Sequence, residues 1–212
     1  MIAEPRLLLH WSPRSPYVRK VMIAADELGL LPRLDTVRTV VGGTTAHIEL
    51  MEDNPLGKLP TLILPDGTAI YDSYVILEYL HSQNQAARLI PPGGLARIVA
   101  LRRHALGNGM LDILLQWLGE RGRPAERQSE AHIALWRGKI AASIEALDTE
   151  ADDLAATVFS IGHLAIGVAL GYLDFRFKSE PWREGHERLA AWYTSFQALP
   201  CVLAHPPQDD PS

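Results

Sequence analysis

The chain has 212 residues, 47% of them hydrophobic and 21% charged, and its mean hydropathy is close to zero. This composition is typical of a soluble globular protein with room for two modest domains. The 25 acidic residues outnumber the 20 basic ones, which excludes the basic surplus that nucleic-acid binding requires. We find neither a signal peptide nor an apolar stretch that could span a membrane, and therefore expect a cytoplasmic location without a membrane partner.

The chain begins with a strand-helix-strand pattern. The apolar run from Arg6 to His10 predicts a strand, and apolar residues at helical spacing from Val18 to Leu28 predict a helix. Ser15 followed by Pro16 is typical of a helix start, with a hydroxyl at the N-cap and proline at the first helical position. A second strand is predicted near Leu34 to Val40.

A β-hairpin and a second helix follow. The segments Thr61 to Leu64 and Thr68 to Tyr71 predict antiparallel strands, because the Pro-Asp-Gly sequence between them suits a tight turn. Asp72 or Ser73 then caps a helix whose apolar residues repeat along one face. The element order, βαβ followed by ββα, predicts a thioredoxin-like domain over residues 1–83.

The bond between Leu59 and Pro60 precedes the first hairpin strand. An X-Pro bond at this place is a candidate for the cis form, which would turn the backbone of Leu59 outward. An extended, peptide-like ligand could then pair with this backbone.

The second half is predicted to be all-helical, so the fold class is α+β. A linker over 84–94, rich in proline and glycine towards its end, leads into a helical domain over 95–212. Helical patterns cover residues 95–118, 126–154, 160–172 and 186–199. The third is apolar on nearly all sides and is expected to be the central buried helix. Three prolines among the last eight residues predict a loose tail.

These features together resemble the glutathione S-transferases. The resemblance is carried by Ser15-Pro16-Tyr17-Val18-Arg19-Lys20, by the segment 54–60 and by Asp72-Ser73, with further support from 106–112 and 171–176. It covers nearly the whole chain and looks closest to small bacterial members with a Ser-Pro-aromatic helix start. It implies glutathione as co-substrate with no other cofactor, a small apolar electrophile bound in a cleft between the halves, and a homodimer.

Ser15 is the candidate catalytic residue. Ser-Pro-Tyr-Val has the form of the glutaredoxin Cys-Pro-Tyr-Cys motif without its cysteines, so thiol-disulfide exchange is not expected. A serine can instead donate a hydrogen bond to the thiolate of a bound ligand. Lowering a thiol pKa by two units needs about 2.7 kcal/mol, and a hydrogen bond to a charged acceptor gives roughly 1.5 to 3 kcal/mol. Ser12, three residues earlier, is the alternative.

The resemblance also implies the remaining ligand contacts. Lys58 is expected to reach the glycine carboxylate of glutathione, and Leu59, before Pro60, to pair its backbone with the cysteinyl unit. Asp72 and Ser73 suit the γ-glutamyl end, because a helix N-terminus binds a carboxylate and an aspartate accepts from an ammonium group.

Five further residues are candidates for a second-substrate pocket, although each has an equally simple explanation as a packing or surface residue: Trp11, Tyr17, Asn108, Asp112 and Trp117. The activity expected is transfer of glutathione to an electrophile. The alternative is a non-enzymatic binding or regulatory protein with the same fold. A reductase is disfavoured, and the lone Cys201 and the eight scattered histidines predict neither a disulfide framework nor a metal site.

Two features of the helical half depart from simple expectation. Gly107 and Gly109 fall inside a predicted helix, where they indicate close approach of the backbone, either to a neighbouring helix or at the active-site cleft. The capping signature expected before the buried helix, Ser or Thr followed three residues later by Asp, reads Ser160-Ile161-Gly162-His163 here. Its loss is expected to cost on the order of 1 kcal/mol of stability.

Overall fold

The computed structural model describes residues 5–42, 44–84 and 88–209. The chain forms two compact units: Met1–Ile90 together with Ala204–Ser212, and Pro91–Leu203. The division falls within the predicted linker, of which residues 85–87 lie outside the described part of the chain. The residues from Ala204 onward group with the first unit, whereas the sequence suggested that they belong to the helical domain.

The first unit contains a four-stranded mixed sheet with the strand order β2-β1-β3-β4. Strand β1 is parallel to β2 and antiparallel to β3, and β4 is antiparallel to β3. The elements in chain order are β1 Leu7–Trp11, α1 Pro16–Glu27, β2 Leu34–Arg38, α2 Ile48–Asp53, β3 Thr61–Ile63, β4 Ala69–Ile70 and α3 Ser73–Gln83. This confirms the predicted order of the strands and of helices α1 and α3, whereas α2 was not predicted.

The core of the first unit follows from the periodicity of its strands and helices. Leu7 and Leu9 alternate along β1 and are fully buried, whereas Leu8 between them is 40% exposed. Helices α1 and α3 each bury one face, with Val21 on α1 and Ile76 on α3 excluded from solvent. The sheet and these helices therefore form a stable base for the loops at the sheet edges.

The second unit is entirely helical among its described residues. Its helices are α4 Gly94–Arg121, α5 Glu130–Thr149, α6 Ala151–Ala156, α7 Ile161–Arg176, α8 Glu187–Gln197 and α9 Pro200–Leu203. Every residue from Ile161 to Leu173 is buried, which confirms the predicted central helix. No helix in the described ranges is long and apolar enough to cross a membrane.

The helix predicted over 126–154 is in fact two helices that meet at Glu150. The Glu150 carboxylate accepts hydrogen bonds from Arg102 at 2.7 and 2.6 Å and from Arg103 at 3.2 Å, both on α4. Because these contacts are remote in sequence, the helical periodicity alone could not reveal the break.

Glycine allows α4 and α7 to pack with their backbones in contact. A Cβ atom at Gly107 would lie 2.5 Å from the carbonyl carbon of Ala165 on α7. At Gly162 on α7 it would lie 2.7 Å from Cβ of Arg103 on α4. At Gly109 it would meet nothing within 4 Å. The predicted close approach to a neighbouring helix is therefore confirmed for Gly107, whereas Gly109 contacts no neighbouring helix.

A histidine links the start of α7 to α6. His163 Nε2 lies 3.1 Å from the Leu154 carbonyl oxygen, and Nδ1 lies 2.9 Å from Ser160 Oγ. Because a carbonyl only accepts, Nε2 carries the hydrogen and the Ser160 hydroxyl donates to Nδ1. Burial lowers the pKa of His163, and the charge of Arg103 lowers it further, while the Leu154 hydrogen bond opposes this shift. His163 thus supplies a contact at the helix start where an aspartate was expected.

Candidate functional site

The strand register brings three loop segments to one edge of the sheet. His10, near the end of β1, pairs with Thr61 at the start of β3. Leu62 pairs with Ile70, so the end of β4 lies beside the start of β3. The loop after β1, the residues before β3 and the start of α3 therefore meet at the same edge. Helices α1 and α3 both begin there, which directs two positive helix N-termini towards this edge.

Ser15 is the N-cap of α1, as predicted, and its hydroxyl group is not fully used by the cap. Its Oγ accepts from the Val18 N–H at 3.3 Å, and the described residues provide no acceptor for its hydroxyl hydrogen. The Ser15 N–H donates to the Ser12 carbonyl at 3.2 Å, which closes a turn. Ser15 is partly exposed, whereas Ser12 is 6% exposed. Of the two serines, Ser15 is the better placed to donate to a ligand.

The segment before β3 is shaped by Asn54, a residue that the sequence marked only as part of a turn. The buried Asn54 amide donates to the Lys58 carbonyl at 3.2 Å and to Thr61 Oγ1 at 2.9 Å. The Lys58 side chain is exposed. The Leu59–Pro60 bond is cis, as the sequence suggested. Among the described residues, neither the N–H nor the carbonyl of Leu59 has a hydrogen-bond partner, so both remain available to an extended ligand.

The start of α3 provides the third part of the edge. Asp72, rather than Ser73, is the N-cap, and its Oδ1 accepts from the Tyr74 N–H at 3.0 Å. The Asp72 side chain is exposed and keeps lone pairs for a further donor. Ser73 is 1% exposed, and no hydrogen bond to its hydroxyl occurs within the part of the chain that the structure describes. A carboxylate and a free helix N-terminus are thus adjacent, which suits a ligand that carries both an ammonium and a carboxylate group.

A polar network that the sequence analysis missed supports the loop after β1. His10 Nδ1 lies 2.9 Å from Thr39 Oγ1, and Nε2 lies 3.0 Å from Asp53 Oδ2. The Thr39 N–H donates to the Trp11 carbonyl at 2.8 Å. These bonds tie the end of β1 to the segments after β2 and at the end of α2. A histidine at the end of an otherwise apolar strand was the one available signal.

The five candidates for a second-substrate pocket have different environments. In the first unit, Trp11 and Tyr17 are partly exposed, and Lys20 Nζ lies 5.1 Å from the Tyr17 ring centroid. In the second unit, Asn108 and Asp112 are one helical turn apart on α4, and both reach solvent.

Trp117 has a different setting from the other four. It is 2% exposed and packs against Phe177, with ring centroids 4.7 Å apart. The guanidinium of Arg137 lies 5.4 Å from its ring centroid. Such burial is typical of a core residue and argues against a substrate contact at Trp117.

The described residues form no candidate metal-binding site. No group of three or more His, Cys, Asp or Glu side chains gathers there in a metal-binding arrangement. Cys201, the only cysteine of the sequence, is buried. The edge offers a hydroxyl donor, an unpaired peptide group, an exposed ammonium and a carboxylate at a helix N-terminus. This set can hold a short peptide by its backbone and its charged ends.

Two protein-family models match the chain. Residues 14–83 match the model of the glutathione S-transferase N-terminal domain, and residues 130–195 match that of the C-terminal domain. The uncharacterized GST-like protein YibF of Escherichia coli K12 is 32% identical over 170 residues, which cover 79% of this chain and 82% of YibF.

Two crystal structures of a glutathione transferase family member from Pseudomonas fluorescens Pf-5 are also similar. The structure with bound glutathione is 39% identical, has a TM-score of 0.92 and aligns over 95% of this chain and 99% of that chain. The structure with bound S-(propanoic acid)-glutathione is 37% identical, with a TM-score of 0.88 over 95% and 100% of the two chains. The chain therefore belongs to the glutathione S-transferase family.

Proposed function

We propose that this protein is a glutathione transferase that binds glutathione at the sheet edge and activates its thiol with Ser15. The observation that carries the proposal is the state of the Ser15 hydroxyl, which caps α1 through a lone pair, while the described residues provide no acceptor for its hydrogen. Family membership and the glutathione-bound relatives support the choice of ligand.

Each part of glutathione has a matching group at this edge. The cysteinyl unit pairs with the N–H and carbonyl of Leu59, before Pro60. The γ-glutamyl carboxylate lies at the N-terminus of α3 near Ser73, and its ammonium donates to Asp72. The exposed ammonium of Lys58 attracts the glycine carboxylate. This arrangement directs the thiol towards the start of α1.

Ser15 favours the thiolate over the thiol, because its hydroxyl donates more strongly to a charged sulfur. A charge-assisted hydrogen bond of about 1.5 to 3 kcal/mol corresponds to a pKa lowered by roughly one to two units. The N-terminus of α1 adds about 0.3 to 1 kcal/mol. The thiol proton leaves to solvent, so Ser15 need not act as a base. The thiolate then forms a carbon–sulfur bond with a small apolar electrophile.

The test is an ultraviolet titration of the thiolate in the bound complex. We expect Ser15→Ala to raise the thiol pKa by about one to two units and to slow conjugation near pH 7, while affinity falls much less. Ser15→Thr keeps a hydroxyl and should restore most of the effect. An unchanged pKa in Ser15→Ala would refute the assignment, and a change in Ser12→Ala instead would transfer the role to Ser12.

Ser129→Ala is the matched control for the lost helix cap. Ser129 is the N-cap of α5, and its hydroxyl accepts from the His132 N–H at 3.4 Å. Its removal should cost a similar amount of folding stability, about 0.5 to 2 kcal/mol, without moving the thiol pKa.

Glutathione binding without conjugation of any electrophile would favour the alternative of a binding or regulatory protein.

A further inference from the structure

The last described residues lie against α1. We call the segment Ala204–Asp209 the C-terminal strap. The carbonyl of His205 accepts from Arg19 Nε at 2.6 Å, and His205 Nε2 lies 3.1 Å from Asp26 Oδ2. The described part of the tail is therefore anchored to α1, whereas the sequence predicted a loose tail.

Beyond its anchor, the strap reaches the residue before Ser15. Arg14 lies within the turn that the Ser15 N–H closes onto the Ser12 carbonyl. Its Nε is 3.6 Å from Asp209 Oδ1, and the two side chains are 56% and 55% exposed. Consecutive Cα atoms are only about 3.8 Å apart, so Arg14 is adjacent to the residue that is proposed to hold the sulfur.

The Arg14–Asp209 contact is of a kind that a ligand displaces readily. It is long and solvent-exposed, and exposed pairs contribute roughly 0 to 1 kcal/mol. A substrate carboxylate that binds the guanidinium with both oxygens forms a stronger and more directional contact. The N-terminus of α1 also favours negative charge nearby. Asp209 thus presents a carboxylate of the chain itself to Arg14.

We propose that Arg14 determines specificity for electrophiles that carry a carboxylate, and that Asp209 occupies Arg14 until such a substrate displaces it. This inference rests on the proposed transferase function and names a substrate class for it. The electrophile keeps an apolar reacting part and gains an anionic end.

Two electrophiles that differ in charge test the proposal. With 4-chloro-3-nitrobenzoate and 4-chloro-3-nitrobenzamide, the thiolate forms a carbon–sulfur bond at the same ring carbon, the carbon–chlorine bond breaks and chloride leaves. The readout is the ratio of kcat/KM for the benzoate to that for the benzamide. We expect Arg14→Gln to lower this ratio about tenfold. Asp209→Asn should raise it by about two- to threefold through KM, because the Asp209 carboxylate no longer competes with the substrate.

Arg6→Gln is the matched control. Arg6 pairs with Asp35, with side chains 57% and 47% exposed, and it immediately precedes β1, at the opposite end of that strand from Ser12. Removing this charge should leave the ratio unchanged. If Arg14→Gln does not lower the ratio, the proposed role of Arg14 is overturned. If Asp209→Asn lowers the ratio, the proposed competition between Asp209 and the substrate carboxylate is overturned.

A calorimetric measurement separates this inference from the proposed function. Wild-type protein should bind S-(2-carboxyethyl)glutathione more tightly than S-propylglutathione, and Arg14→Gln should abolish the preference. Equal affinities in the wild type overturn the role of Arg14 while glutathione binding stands. Failure to bind either conjugate overturns the proposed function and this inference together.

Discussion

Gly107→Ala is expected to destabilise the helical unit, because the added methyl group has no space between α4 and α7. It would lie 2.5 Å from the carbonyl carbon of Ala165 and 2.7 Å from its oxygen. Both atoms belong to the main chain of a buried helix, which cannot move aside as a flexible side chain can. The two helices must therefore separate, and neighbouring contacts of α7 are weakened.

The magnitude follows from two opposing effects. Replacing glycine by alanine within a helix gains about 0.8 to 1 kcal/mol. Overpacking costs typically about 1 to 3 kcal/mol, and we expect the upper end because the clash involves backbone. The net loss should be about 2 kcal/mol. Gly109→Ala, in the same helix, meets nothing within 4 Å and should stabilise the protein by up to about 1 kcal/mol.

Urea unfolding followed by tryptophan fluorescence measures this difference. Four of the five tryptophans belong to the second unit, so the signal reports mainly on the helices in question. The two variants should differ by about 3 kcal/mol in unfolding free energy. Equal stability of Gly107→Ala and Gly109→Ala would refute the close packing of α4 on α7.

Three further predictions concern the ligand, pH and assembly. Asp72→Ala should weaken glutathione binding by about 1.5 to 3 kcal/mol in calorimetry. Asp66→Ala, which removes a carboxylate with the same kind of backbone contact from the β3–β4 turn, should not, and equal losses would contradict the assignment. The pKa of His163 is lowered in the folded state. The contribution of neutral His163 to the unfolding free energy is therefore fully present above about pH 6.5, and it is lost as the pH falls towards the folded-state pKa. Unfolding free energy in His163→Gln should therefore depend less on pH between 7 and 5, and parallel curves would exclude this role. The chain should form a homodimer, and light scattering that gives the 23.4 kDa of one chain would contradict this.

The thioredoxin-like half could be predicted because its signals are local. Ser15 and Pro16 occupy the two positions that define a helix start. The Pro-Asp-Gly turn joins two short strands, so the hairpin can be predicted from one continuous stretch of sequence. Asp72 and Ser73 were both reasonable caps, and only the structure distinguishes them. Local chemistry therefore located the candidate site, although it did not assign every role.

Contacts between distant residues could not be predicted. The bonds of His10 join residues 29 and 43 positions away, and the anchor of His205 reaches back 179 positions to Asp26. Helical periodicity reports which face is buried but not what packs on it, so the sequence left both a pocket and a core position open for Trp117. The helix break at Glu150 depends likewise on the arginines of another helix.

The proposed site divides recognition between backbone and side chains. Glutathione would be held largely by the N–H and carbonyl of Leu59, which have no partner among the described residues, and by the N-termini of α1 and α3. These groups depend on the fold more than on residue identity. Relatives with 32% to 39% identity can therefore retain such a site while most of their side chains differ. The electrophile would instead meet exposed side chains such as Arg14, which can change without disturbing the sheet edge. Substrate choice should consequently vary among relatives much faster than glutathione binding does.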